Sequence, residues 1–209
     1  MTDANAIHSR RIPLPRVCTL IDSIYAFSMT LLVITVDIPS KFQHDGAAMP
    51  VQSILLTDIP DILHYFIAFI LLALLWYFEH QRFQSLDYLD RPLFCMNIAG
   101  LAFVCLIPFT TNLAGDYPAD ALGAILFEAN IFVIGAIAAA QWFYIRRRSA
   151  ALVPGLTDAH IAREIRWSLV FPILSVAGIA LSFVYGSGSI AIYLLAPVIM
   201  AGLFWHEEA

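Results

Sequence analysis

Residues Val17 to Ile38, VCTLIDSIYAFSMTLLVITVDI, make an apolar run that is entered through Arg10, Arg11 and Arg16 and interrupted only by the carboxylates Asp22 and Asp37. As an α-helix this run rises about 33 Å, enough to cross a hydrocarbon core of about 30 Å, whereas the apolar core of a signal peptide is roughly half as long. It therefore reads as a first membrane-spanning helix. Phe27, Leu31 and Ile34 recur at i, i+4 and i+7, so their side chains form one stripe of bulky apolar groups. Asp22 lies about 140° around the helix from that stripe and belongs to a different surface. What the stripe faces, whether lipid, neighbouring helices or a pore, decides the function.

The rest of the chain repeats the pattern. Hydrophobic residues make up 60% of the 209 residues and charged residues 13%, with a mean hydropathy of +0.79. A soluble domain carries about twice that charge, so the chain is an integral membrane protein. Apolar runs fall at about 17–38, 61–78, 93–113, 121–145, 167–185 and 190–205, punctuated by Pro60, Pro92, the turn AGDYPAD, the block Arg146 to Arg148 and the turn GSGS. The expected architecture is a single all-α domain over 1–209 with six transmembrane helices. Pro108 is expected to kink the third.

Basic residues set the orientation. Arg10, Arg11 and Arg16 precede the first span, Arg82 and Arg91 separate the second from the third, and Arg146 to Arg148, Arg163 and Arg166 separate the fourth from the fifth. Only Lys41 falls on the other side. The positive-inside rule then places both termini in the cytoplasm of a multi-pass protein of the cell membrane. The outer face holds Asp37, Asp45, Asp58, Asp61, Asp116 and Asp120, an acidic surface that raises the local cation concentration.

Several classes are excluded. Cys18, Cys95 and Cys105 lie within or at the ends of apolar runs, which argues against a disulfide framework or a tightly bound metal. No phosphate-cradling loop, nucleophile elbow or basic patch with interleaved aromatics is present, so neither an enzyme, a cofactor nor a nucleic-acid partner is expected. The intramembrane polar groups remain. Asp22 sits at the depth of Arg16, Glu79, His80 and Asn97, which suits a helix-packing network. Glu128 and Asn130, with His64 near the outer end of the second span, can pair with one another or form a proton site, which keeps a proton-coupled secondary transporter open as the alternative. Thr30, the one hydroxyl in the middle layer of the stripe, either bonds back to its own helix or contacts a cation.

The residues just named carry a family pattern. Arg16 to Asp22, RVCTLID, resembles the R-x3-F-S-D signature that opens the first helix of the transmembrane protein 175 family of potassium channels, and AFSMTLLVI is similar to the run that follows it. Trp76, His80 and Phe83 match W-x2-H-H-x2-F, and Asn97, Leu101, Pro108 and Phe109 match N-x3-L...P-F. Leu20, Ile21 and Glu79 depart from the pattern, and Phe27 stands where a smaller aliphatic residue is usual. The resemblance implies a homotetramer in membrane lipid whose single pore is lined by the first helix. It implies a pore constriction made by Phe27, Leu31 and Ile34, Thr30 as a candidate cation contact, and a packing network of Arg16, Asp22, Trp76, His80 and Asn97. Potassium ions pass transiently, with sodium less favoured.

Overall fold

The computed structural model describes residues 13–36, 50–57 and 59–199. Arg10, Arg11, Asp37, Lys41, Asp45, Asp58 and the end of the expected sixth span lie outside them. Helix α1 (Leu14–Leu31) has Pro15 in its first turn, where a missing N–H costs nothing, and runs on as a 3-10 turn over Leu32–Thr35. Thr19 and Ser23 donate to the carbonyls of Pro15 and Thr19, so neither hydroxyl is left unsatisfied in an apolar helix. The β-branched run Val33, Ile34 and Thr35 closes the helix, with Thr35 donating to the Leu32 carbonyl at 2.7 Å.

A short helix α2 (Val51–Thr57) leads into α3 (Ile59–Gln84), which extends past the end expected for the second span and takes Glu79, His80 and Arg82 into the helix. The third apolar run is broken in two, α4 (Arg91–Val104) and α5 (Ile107–Asp116). Pro108 in the first turn of α5 cannot donate to the Val104 carbonyl, and the hydroxyls of Thr110 and Thr111 bond back to Leu106 and Ile107 around the break. Asp90 caps α4 by accepting from Leu93 N at 3.1 Å, while its second oxygen accepts from the Tyr144 hydroxyl at 2.6 Å and from Arg148 at 3.0 Å.

Helix α6 (Ala121–Arg147), capped by Asp120, is the mast of the bundle and packs against α4, α5, α8, α9 and the chain after α9. Two short helices, α7 (Ser149–Leu152) and the amphipathic α8 (Asp158–Ser168), lead to α9 (Val170–Tyr185). The chain reverses at Gly186, whose φ of 54° and close approach to the Pro118 carbonyl both exclude a side chain. It returns as a 3-10 segment over Gly186–Leu194, helical again to residue 199, and Tyr193 lies beside Ser175 of α9. Among the described residues five helices are long and apolar enough to cross a membrane, the last counted as one run from Asp158 to Ile199 that includes this reversal. The buried core is centred on Leu71, Leu72, Leu93, Phe127, Ile131 and Ile145, while Phe66, Phe109, Ile173 and Val184 are exposed, as suits a chain whose outer surface meets lipid.

Candidate functional site

Helix α1 has two unlike faces. Val17, Ile21, Tyr25, Ser28 and Leu32 are buried against α3, α4 and α5. Phe27 and Ile34 are 63% and 70% exposed, Thr30 is exposed, and Leu31 is half-buried between the two faces. Within the 3-10 turn three residues make one full turn, so Ile34 sits directly above Leu31 rather than stepping around the axis as it does in an α-helix. The stripe read from the sequence is thus straighter at its outer end than 3.6-residue periodicity implies. The Thr30 hydroxyl donates to the Phe27 carbonyl at 2.7 Å. Its proton is occupied, and the remaining lone pairs of the oxygen are free to accept.

The polar residues divide into two clusters. In the first, Trp76 Nε1 donates to Asp22 Oδ1 at 2.8 Å, His80 Nδ1 lies 3.9 Å from the same oxygen, and the Trp76 and His80 rings stack with centroids 5.3 Å apart. This joins α1 to α3. In the second, Asn97 donates to Glu79 Oε1, and Glu79 Oε2 accepts from Arg82, which is 2% exposed. This joins α3 to α4. Arg16 is exposed and has no hydrogen bond or ion pair among the described residues. The five-residue network expected from the sequence is therefore split, with Asp22, Trp76 and His80 on one side and Asn97 on the other.

Glu79 explains part of the split. It stands where the family pattern has histidine, and its charge balances a buried arginine that the sequence reading left in a hydrophilic connection. Arg82 and Glu79 are three apart on one helix, a spacing that brings side chains together and that was the available signal. Arg82 Nε and Asn97 Oδ1 remain without a partner and border small internal cavities that Tyr25 also lines.

Glu128 and His64 do not meet. His64 Nε2 lies 3.3 Å from the Ser187 carbonyl, Asn130 donates to the Phe103 carbonyl, and Glu128 is engaged by Tyr193. Tyr193 carried no local signal in its apolar run. No group of three or more metal-ligating side chains occurs among the described residues.

Residues 16–108 match the family model described as the endosomal/lysosomal potassium channel TMEM175. Over those residues the chain is similar to TMEM175 channels. A potassium channel of Streptomyces collinus is 24% identical over 155 residues, covering 72% of this chain and 73% of that protein. The endosomal/lysosomal proton channel TMEM175 of Danio rerio is 25% identical over 132 residues, 63% of this chain but a quarter of the length of that relative. The crystal structure of a lysosomal potassium-selective channel TMEM175 homolog from Chamaesiphon minutus superposes with a TM-score of 0.75 at 22% identity, covering 90% of this chain and 96% of that one, which shows a shared fold. The matched family is one of ion channels rather than an enzyme class, and the apolar helices make this chain a multi-pass protein of the cell membrane. The family match covers α1, where the stripe lies, and extends to Pro108.

Proposed function

We propose that the chain is one subunit of a homotetrameric, potassium-preferring cation channel of six spans with both termini cytoplasmic, its central pore lined by α1. The observation that carries this reading is the free face of α1: Phe27 and Ile34 are turned away from the subunit core with Leu31 at its edge, while the opposite face is anchored by packing and by the Trp76–Asp22 hydrogen bond. Four copies of such a face around an axis enclose a path without exposing irregular backbone to lipid.

In that path the three side chains make stacked apolar rings. An ion crossing them sheds water with little in return, so the barrier rises as the bore narrows, and Thr30 Oγ1 supplies an acceptor between the Phe27 and Leu31 levels. Phe27 makes the innermost ring bulkier than an aliphatic side chain does. Potassium, more weakly hydrated than sodium, is favoured by a constriction that charges for dehydration. Exposed Asp116 and Asp120 at the outer end attract cations, an effect that salt screens.

The test is single-channel recording of purified protein in asymmetric potassium and sodium, together with flux into liposomes. Leu31→Ala and Ile34→Ala are expected to raise flux and weaken discrimination against sodium. Unchanged flux in both variants, with the protein still tetrameric, refutes the pore assignment. Uptake driven by a pH gradient, without unitary currents, supports the secondary-transporter alternative instead.

A further inference from the structure

A second polar feature lies away from α1, where α6, α9 and the returning segment meet. Glu128 is fully buried. Its Oε2 is 2.5 Å from the Tyr193 hydroxyl, that hydroxyl is 2.8 Å from Ser175 Oγ, and Ser175 Oγ is 2.9 Å from the Phe171 carbonyl. The contacts form a line of three hydrogen bonds ending on an oxygen that can only accept.

Three contacts share two hydroxyl protons. With Ser175 donating to the Phe171 carbonyl and Tyr193 donating to Ser175, the first contact takes its proton from Glu128, and all three bonds are then made at once. We propose that Glu128 is a proton-binding site within the bundle, occupied in this fold, and that its carboxylic acid donates to Tyr193 and so clasps the segment Gly186–Leu194 to α6 and α9. The inference does not depend on the pore reading.

Two further observations agree. Glu128 Oε1 has no partner, which is a modest cost for the carbonyl oxygen of an acid but a severe one for a buried carboxylate oxygen. Gly178 of α9 lies against the carboxyl, where any Cβ would overlap it, so no cation or water is interposed on that side.

The surroundings supply no counter-charge. On α6 itself, Tyr144, Arg146 and Arg147 are at the opposite end. Glu164 of α8 lines a cavity with Ile134 and Ala138 of α6, and Glu79 and Arg82 of α3 line the same cavity, where they pair with each other rather than with Glu128. Arg91 and Cys95 are at the start of α4, Asp116 ends α5, Tyr185 ends α9, and α7 has no titratable group. His64 of α3, which packs on the returning segment, is directed to the Ser187 carbonyl. Tyr193 is the titratable group in contact with the carboxyl among the described residues.

Release of the proton leaves two hydrogens for three contacts. The line must then break at one link, and the carboxylate remains buried with one donor. The ionised carboxyl is enclosed with one donor and no counter-charge, a cost that opening Gly186–Leu194 to water relieves, so ionisation loosens the hold on that segment.

The site is tested by infrared spectroscopy of the purified full-length protein in lipid near neutral pH. The expected result is a C=O stretch of a protonated carboxylic acid that moves in D2O, is lost in Glu128→Gln and shifts to higher frequency in Tyr193→Phe, where the acid loses its acceptor. Glutamine keeps a neutral donor toward Tyr193. Hydrogen exchange over residues 187–194, corrected for its intrinsic pH dependence, is therefore expected to accelerate in the wild type at the pH where the band vanishes and to stay flat in Glu128→Gln. A wild-type spectrum without the band overturns the proposal, as does a band insensitive to both substitutions or acceleration that is equal in the two proteins. Should Glu128→Gln fail to fold, the shift in Tyr193→Phe decides alone.

Discussion

Trp76→Phe asks whether α1 is held to the subunit by a single directional bond. The indole donates to Asp22 Oδ1 at 2.8 Å across the interface between α1 and α3. A hydrogen bond to a charged acceptor contributes about 1.5–3 kcal/mol when shielded. The Asp22 side chain is 47% exposed, however, so screening reduces the expected value to about 1 kcal/mol. Phenylalanine retains an aromatic face toward His80, and the ring contact is therefore weakened less than the hydrogen bond. For a chain of this size a loss of 1 kcal/mol lowers the melting temperature by about 2–4 °C. The assay is a double-mutant cycle in thermal unfolding of detergent-solubilised protein: wild type, Trp76→Phe, Asp22→Ala and the double variant. The expected coupling is about 1 kcal/mol, since removing either partner abolishes the bond and removing the second adds little. Coupling below about 0.3 kcal/mol, the ordinary error of additivity, refutes the claim that this bond fixes α1.

Further outcomes follow from the anchors at Glu79 and Asp90. Glu79→Gln leaves the buried Arg82 guanidinium without its counter-charge and is expected to cost about 3–5 kcal/mol, whereas adding Arg82→Met to it recovers part of the loss, as chemical or thermal unfolding will measure. Asp90→Ala removes the cap of α4 and is expected to lower stability by about 1–2 kcal/mol. Asp90→Asn keeps the cap and gives up the charge that faces Tyr144 and the half-exposed Arg148, so it is expected to cost less than Asp90→Ala in the same assay.

Much of α1 was legible in the sequence because one periodicity governs both its faces: residues that repeat every three or four positions must share a side. The Trp76–Asp22 pairing was recoverable only through the family pattern, since nothing local links residues 54 positions apart. The 3-10 turn at Leu32–Thr35 was missed because the run contains neither glycine nor proline, and β-branched crowding gives a weaker local signal. Arg82 was misplaced for a related reason. A charged residue near the end of an apolar run ordinarily reaches toward water, and only the three-dimensional position of Glu79 shows that it turns inward instead. Tyr193 was the least visible, because a tyrosine among apolar residues looks the same whether its hydroxyl meets a headgroup or a buried acid.

The separation of α1 into a packed face and an open face makes it an unusually clean genetic target. Changes at Val17, Ile21, Tyr25 or Leu32 fall on the subunit's own packing and will be recorded by unfolding of an isolated protomer. Changes at Phe27 or Ile34 leave that packing almost untouched, because those side chains contribute little buried area to it. A scan of the helix read out twice, once by melting and once by conductance, should therefore yield two complementary patterns, each silent where the other responds. The phase between them measures directly how far the helix is rotated about its own axis in the assembled protein.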